Sequence, residues 1–429
     1  MDIQDKDQQY IWHPFTQEKT AGPNISIVRG KDAWLFDEKG KKYLDAVSSW
    51  WVNLHGHCHP HINHAISAQL EQLEHVIFAG FTHPKAVELS ERLIEKLGAP
   101  FAKVFFSDNG STANEVALKM AIQYFYNKGE KKPKIIAFKD SYHGDTFGAM
   151  SAGGRGAFSA PFESNLFEVD FIEVPHVKNL NEVKKKLGYY ISKGNVAAFI
   201  FEPLVLGTAG MQMYAPSHLD QLIEICQSRG VLTIADEVFT GFYRTGRLFA
   251  HQYLRNKPDM ICLSKGLTGG YLPLGLTIAT KEVYDVFYSE DKMKTLFHGH
   301  SYTGNPLSCA AACASLDLTE TDHTADQVKR IVQKHTDFAK ALKKREEVHR
   351  VRQMGTILAF DIKVSGESSY FHSLRDKMYQ FFLKKGILLR PLGNTLYIVA
   401  PYCIKNAELD LLYNAIKSFL NQLKIGNVK

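Results

Sequence analysis

Between residues 103 and 279 short apolar runs alternate with stretches of helical periodicity, and no other feature limits the possible folds so sharply. Residues 103–107, 134–138, 197–201, 231–235, 260–263 and 276–279 have strand length and are mostly apolar. Strands apolar on both faces must be covered on both faces, which predicts a mostly parallel sheet with helices packed on each side. Residues 115–126, 180–191 and 219–228 repeat apolar side chains at helical spacing and supply those helices. Sheets of this kind bind ligands in the crevice at the carboxyl ends of their strands. Residues that carry chemistry are therefore expected just after strands.

The flanking regions read differently. Residues 26–29, 33–36 and 42–44 are extended segments separated by turns at Gly30-Lys31-Asp32 and Glu38-Lys39-Gly40, and the first sixty residues hold no expected helix. Helices are predicted over 62–73 and 85–97. Beyond about residue 321 come helices over 325–344 and 370–385, with strand-like pieces at 357–363 and 395–399. A chain of 429 residues is too long for one small core. The expected division is an N-terminal segment, 1–60, that joins a small unit; a large unit, 61–320; and a C-terminal small α+β unit, 321–429.

Several function classes are excluded. No run approaches the roughly 18 consecutive apolar residues of a membrane span. The start, Met1-Asp2-Ile3-Gln4-Asp5-Lys6, has neither the basic residues nor the apolar run of a secretory signal, so a cytoplasmic protein is expected. The six cysteines form no CxxC pair, which favours reduced, mostly buried thiols. Cys309 and Cys313 are four apart on an alanine-rich helix and read as small buried residues. A net charge of +6 is mild, and the basic runs at 128–134 and 184–186 form no stripe of the kind nucleic acid requires. His55, His57, His59, His61 and His64 crowd around Cys58, but they alternate along a loop without the paired spacing of zinc ligands, and no metal is expected.

Two strand ends carry the chemistry. Residues 231–235 are followed by Asp236, and residues 260–263 by Ser264-Lys265-Gly266, twenty-nine positions on from the acid. Gly266, Gly269 and Gly270 leave an unencumbered backbone where something bulky must fit. Lys265 precedes these glycines, so the segment is no phosphate-binding P-loop. Each signal alone is ordinary: a surface acid, a snorkelling lysine. Together they meet the needs of pyridoxal 5'-phosphate, which takes a lysine amine as a Schiff base and a carboxylate to keep its pyridine nitrogen protonated. Its phosphate requires backbone N–H groups, and Asp108-Asn109-Gly110-Ser111-Thr112 opens a helix whose N-terminus favours an anion. The plainer reading of that segment is a capped helix start, with Ser111 or Thr112 as the N-cap. Tyr142, in Ser141-Tyr142-His143-Gly144-Asp145, follows a strand and could lie against an aromatic ring.

Residues 107–115, 141–145, 202–203, 236–247, 263–270 and 298–306 together resemble the class III, or omega-type, aminotransferases of fold type I over nearly the whole chain. The resemblance implies an α/β fold, a large domain with a seven-stranded, mostly parallel sheet plus a small α+β domain. Within the class, Trp12-His13-Pro14-Phe15-Thr16, Ser48-Ser49-Trp50-Trp51, residues 144–151 and Arg390-Pro391-Leu392-Gly393 look most like the 7,8-diaminononanoate synthase branch of biotin biosynthesis.

The same resemblance implies roles. Lys265 is the Schiff-base lysine, and Asp236 partners the pyridinium. Gly110 and Ser111 hold the phosphate, which Ser301 reaches from a neighbouring subunit, so a homodimer with shared sites is implied. Tyr142 covers one ring face and Val238 the other. Phe15, Trp50, Trp51, Tyr142, Lys265, Gly299, Arg390 and Tyr397 line the substrate site, with Arg390 receiving the carboxylate of 8-amino-7-oxononanoate and Tyr397 nearby. Arg244 and Asp145 belong to the surroundings. Arginine suits the carboxylate because it donates two parallel hydrogen bonds. Two departures bear on the amino donor. Phe15 stands where adenosylmethionine-using members carry tyrosine, and His298-Gly299-His300-Ser301 resembles a lysine-using branch, whereas paired Trp50-Trp51 resembles the adenosylmethionine type. S-adenosylmethionine is the expected donor and lysine the alternative. Other rivals are an omega-aminotransferase for ornithine, 4-aminobutyrate or a diamine, an aminomutase, and a non-catalytic binding protein.

Overall fold

The computed structural model describes residues 2–364 and 372–424. Seven strands form the central sheet: β1 (Phe101–Ser107), β2 (Lys134–Phe138), β3 (Val169–Ile172), β4 (Val196–Phe201), β5 (Leu232–Asp236), β6 (Met260–Leu263) and β7 (Gly275–Thr280). Their order is β1-β7-β6-β5-β4-β2-β3. All neighbours are parallel except β7, which runs antiparallel to both β6 and β1. Every residue of β4, β5, β6 and β7 is buried, as strands covered on both faces require. The helix Gly110–Asn127 packs its Ala113, Val116, Ala117 and Met120 on one face, against Ile135, Ala197 and Met260. The helices Leu180–Ser192 and Pro216–Gln227 bury Leu187, Leu219 and Ile223 within the core on the other. This is the expected α/β arrangement, with six of the seven strands where the apolar runs placed them.

The strand not anticipated is β3, a four-residue edge strand with only Ile172 fully buried. One covered face and a central aspartate gave it no continuous apolar signature. The helix Ile3–Tyr10 was also missed: it buries nothing and is held by an Asp2/Asp5 capping box, so periodicity could not reveal it. The helix Asn406–Lys424 and the strand Val348–Met354 were also not anticipated, whereas Pro306–Thr319 is the alanine-rich helix expected around Cys309 and Cys313. The helix expected over 370–385 is Ser373–Lys384; residues 370 and 371 lie outside the described residues.

Among the described residues three smaller sheets accompany the large one, the smallest a two-stranded pairing of Val205–Leu206 with Gln212–Met213. Val348–Met354, Ile357–Ile362 and Thr395–Ile398 form an antiparallel three-stranded sheet. Ile27–Lys31, Trp34–Asp37 and Lys42–Asp45 form a meander, to which Ile387–Leu388 adds a parallel fourth strand. The two ends of the chain thus share one sheet, and that sheet sets the position of the segment just after Asp45.

Candidate active site

The carboxyl ends of five strands of the central sheet open on one cavity of about 770 Å³. Asp236 is the last residue of β5, Lys265 lies two residues beyond β6, and Glu202 directly follows β4. Asn109, Gly110 and Ser111 follow β1, while Tyr142 and His143 follow β2. All of them line the cavity, together with Trp51, Asn114, Val238 and Phe239. The crevice rule therefore holds in detail.

Asp236 is 4% exposed. Its Oδ2 accepts from Asn114 Nδ2 at 2.8 Å and faces His143 Nδ1 at 2.7 Å, and its Oδ1 accepts from the Val238 N–H at 3.1 Å. These contacts hold the carboxylate rigidly at the cavity floor. Neither Asn114 nor His143 was singled out from the sequence as functional. Both stand in strand-following segments, which was the available signal.

Lys265 adopts a left-handed backbone, φ 44°, a strained state for a residue with a side chain. Its Nζ lies 4.8 Å from the Trp51 ring centroid and 5.8 Å from that of Phe239. Among the described residues no acceptor hydrogen-bonds this amine. Burial lowers its pKa below the ordinary lysine value; Arg244 acts in the same direction, while Asp236 and Glu202 oppose it. The glycines after Lys265 do make room, but for the protein itself. A Cβ on Gly270 would lie 3.0 Å from the backbone of Val52 and Asn53, and one on Gly266 would press on Leu54 at 3.1 Å. They admit the 52–54 segment, and with it the adjoining Trp51.

The helix Gly110–Asn127 is capped by Asn109, not by Ser111 or Thr112. Asn109 is extended and its side chain accepts from the Thr112 N–H at 3.0 Å. The helix therefore starts five residues earlier than its apolar periodicity suggested. Gly110 and Ser111 become its first two helical positions, whose N–H groups have no acceptor within the helix. The Ser111 hydroxyl is occupied by Thr146, 2.7 Å away. Gly144 lets this loop close: a Cβ there would fall 2.1 Å from Ser111 Oγ. Gly110 abuts Val238, where a Cβ would come within 2.6 Å.

Tyr142 donates its hydroxyl to Asp145 Oδ2 at 2.9 Å, and its backbone N–H to Glu202 Oε1 at 3.0 Å. Burial raises the tyrosine pKa strongly, with Asp145 adding to the effect. Glu202 also accepts from the Gly207 N–H at 2.9 Å, and burial pushes its carboxyl up to about 7.

The paired tryptophans part company. The segment Ser48–Trp51 holds Ser48, Ser49 and Trp51 at positive φ, secured by Asp45, which accepts from the Ser49 N–H at 2.7 Å. Trp51 turns inward, donates to Tyr397 Oη at 3.1 Å and packs 4.6 Å from Phe239. Trp50 turns outward. Arg390 Cζ lies 4.3 Å over its ring, and Phe15 meets its edge at 5.7 Å. Phe158 packs on the other side of Phe15, also at 5.7 Å. Tyr397 thus reaches the cavity through Trp51, while Phe15, Trp50 and Arg390 form a second cluster. Arg244, 1% exposed, donates to the carbonyls of Trp51, Asn53 and Ala400 at 3.3, 3.0 and 2.9 Å, so it pins the tryptophan segment to the small-sheet side.

Gly299 and Ser301 do not line this cavity. Ser301 sits on an exposed segment, its carbonyl accepting from His75 Nε2 at 2.6 Å. The histidine cluster is dispersed into separate contacts: His55 to Ser315, His57 to Asp45, and His61 to Asp317.

Comparison with known proteins follows this geometry. The family model for class-III aminotransferases matches residues 16–420. The adenosylmethionine-8-amino-7-oxononanoate aminotransferase of Synechococcus elongatus is 46% identical over 96% of this chain and 99% of its own length. The Helicobacter pylori protein of the same name is 35% identical over 98% of each chain. Among solved structures, the Methanocaldococcus jannaschii protein of that name superposes with a TM-score of 0.92 at 36% identity, covering 97% of this chain and 98% of that one. A PLP-bound amine transaminase from an uncultivated Pseudomonas species gives 0.90 at 28% identity over 96% and 98%. The chain belongs to the class-III aminotransferases.

Proposed function

We propose that this chain is a pyridoxal-phosphate transaminase that converts 8-amino-7-oxononanoate to 7,8-diaminononanoate in biotin biosynthesis, with S-adenosylmethionine as amino donor. The substrate and donor come from relatives of that name that match the chain end to end at 33–46% identity. The chemistry rests on one observation: Lys265, whose amine has no acceptor among the described residues, and a rigidly held carboxylate, Asp236, face the same cavity. The residues fit the cofactor. The free N–H groups of Gly110 and Ser111 suit a phosphate, Oδ1 of Asp236 suits a protonated ring nitrogen, and Lys265 suits an aldehyde. Val238 and Tyr142 are assigned to the two ring faces.

When bound, the cofactor supplies an electrophilic carbonyl carbon and a cationic ring that withdraws electrons from the neighbouring carbon. Lys265 would be the residue that holds that carbon in the resting enzyme. Its Nζ would then move a proton between the donor carbon and the cofactor carbon, work suited to an amine whose pKa burial has lowered. Asp236, held in place by Asn114, His143 and the Val238 N–H, would face the ring nitrogen and support the ring's positive charge. Arg390 receives the far carboxylate of the keto acid, with Trp50 and Phe15 lining the path. These aromatics supply apolar area for an aliphatic chain.

A homodimer belongs to the same reading. Ser301 and Gly299 lie on a surface that also exposes Phe297, Tyr302, Ile77 and Phe81, apolar side chains that a second copy would cover. Ser301 would then serve the partner's phosphate site. The large unit 61–320, and a small unit formed by 321–429 with the first sixty residues, are proposed as the domains, supported by the pairing of Lys42–Asp45 with Ile387–Leu388. No described helix is long and apolar enough to cross a membrane, in keeping with the proposed cytoplasmic location.

The donor is tested by supplying purified, cofactor-loaded enzyme with the keto acid and either adenosylmethionine or lysine, and measuring diaminononanoate. Product with adenosylmethionine is expected. Product with lysine alone would overturn the donor assignment, and product with neither the substrate assignment.

A further inference from the structure

We propose that Phe239 is a positioning residue for the reaction: its ring, paired with Trp51, forms an apolar wall on one side of the Lys265 amine, and denies it water and hydrogen-bond acceptors on that side. This rests on Lys265 being the lysine that holds the cofactor. Phe239 is 5% exposed and lines the cavity three residues beyond Asp236, where the chain has just left β5. Its ring lies 4.6 Å from Trp51 at 47°, and Nζ of Lys265 sits 5.8 and 4.8 Å from the two ring centroids. The pair is itself fitted to the backbone. A Cβ on Gly207 would come within 3.1 Å of Trp51 and 3.2 Å of Phe239, so a larger residue there would press on both rings. The Gly207 N–H is in turn held by Glu202.

The physical consequence follows from what surrounds the amine. The charged groups that act on it are Asp236 and Glu202, which favour the ammonium, and Arg244, which opposes it. With two carboxylates nearby, an amine hydrated on every side would stay protonated. The aromatic wall tips the balance the other way, because an ammonium loses its hydration there and gains only modest cation–π attraction. A polar residue at 239 would restore a partner for the ammonium. Phe239 thus works through Lys265, on its protonation and on the direction it faces.

The test uses cofactor-free full-length protein, so it does not depend on turnover. Competitive acetylation of all lysines across pH, followed by mass spectrometry, gives the Lys265 titration in the wild type and in variants. Phe239→Gln is expected to raise the Lys265 pKa by about one unit, and Phe239→Leu, which keeps the wall apolar, to leave it within a few tenths. Phe239→Ala, which admits water without adding a polar group, is expected to raise it as well and serves if the glutamine variant folds poorly. In loaded enzyme the acid limb of kcat should move to higher pH in the glutamine variant, and KM for the keto acid should change less. Equal titration of Lys265 in the wild type, glutamine and alanine proteins would overturn the proposal, as would equal shifts in the leucine and glutamine variants. A failure of Lys265 to carry the cofactor would appear separately, as absence of the cofactor from that side chain.

Discussion

Lys265 combines three features that ordinary packing does not favour together: a left-handed backbone, an amine set against two aromatic rings, and no acceptor for it among the described residues. Strain of this kind costs on the order of 1–3 kcal/mol and persists where the surroundings over-determine it. Here the 52–54 segment, seated on Gly266 and Gly270, does so. Replacement by alanine is expected to leave the cofactor bound through the phosphate and ring-nitrogen contacts, while turnover falls by about 10³-fold or more, measured as diaminononanoate formed per active site. Normal turnover in that variant would remove Lys265 from the mechanism. Arg390 makes the opposite kind of prediction. Its guanidinium lies over Trp50, away from the cavity floor, so Arg390→Ala should raise KM for the keto acid roughly 10–100-fold and leave cofactor binding intact. An unchanged KM would place the carboxylate elsewhere.

At the scale of elements, the loops after the strands decide what the site can hold. The Gly110–Asn127 helix presents its first two N–H groups to the cavity because Asn109 caps it. Asn109→Ala should cost about 1 kcal/mol of stability, read from urea unfolding, and loosen the cofactor. Gly144 has φ 130° and no room for a Cβ beside Ser111, so Gly144→Ala should weaken cofactor binding at least tenfold by equilibrium dialysis, more than it lowers stability. Unaltered binding would mean that the Ser111–Thr146 contact does not shape the phosphate site.

These elements also show what could be read from the sequence and what could not. Asp236 and Lys265 were legible because each ends an apolar strand, and β2 and β6 fell where their runs began and stopped. The cap was misread because Ser111 and Thr112 are as good formers as Asn109; only the extended backbone at Asn109 decides between them. The divergence of Trp50 and Trp51 arises from positive φ at Ser48, Ser49 and Trp51, which no pattern of residue types announces. His143, Asn114 and Phe239 owe their places to contacts between loops far apart in the chain. Ser301 and Gly299 are legible through resemblance alone, since they do not line this chain's own cavity.

Across the whole molecule, segments far apart in the chain are joined by buried polar groups as well as by apolar packing. Arg244 ties the tryptophan segment to Ala400, and His335 links Tyr413 to the carbonyl of Thr356. Burial pushes His335 down to about 4 and His55 down to about 3, from 6.5 in an exposed chain. Below pH 6.5 the unfolded chain takes up protons that the folded one refuses. The stability present above that pH is therefore lost as the pH falls towards 4 and then 3. Each histidine contributes about 1.4 kcal/mol per pH unit inside its window. Urea unfolding at pH 7, 6 and 5 should show this fall, and a His55→Asn/His335→Gln double variant should show a shallower one. Equal slopes would mean that these rings are not held neutral.

The central claim is that one lysine carries the cofactor while a fixed acid keeps the ring cationic. Borohydride reduction of the pyridoxal-phosphate-loaded protein, followed by peptide mass spectrometry, tests it most directly. A phosphopyridoxyl group is expected on Lys265 in the wild type and none in the Lys265→Ala protein. A tethered group on a different lysine, or on none, would contradict it.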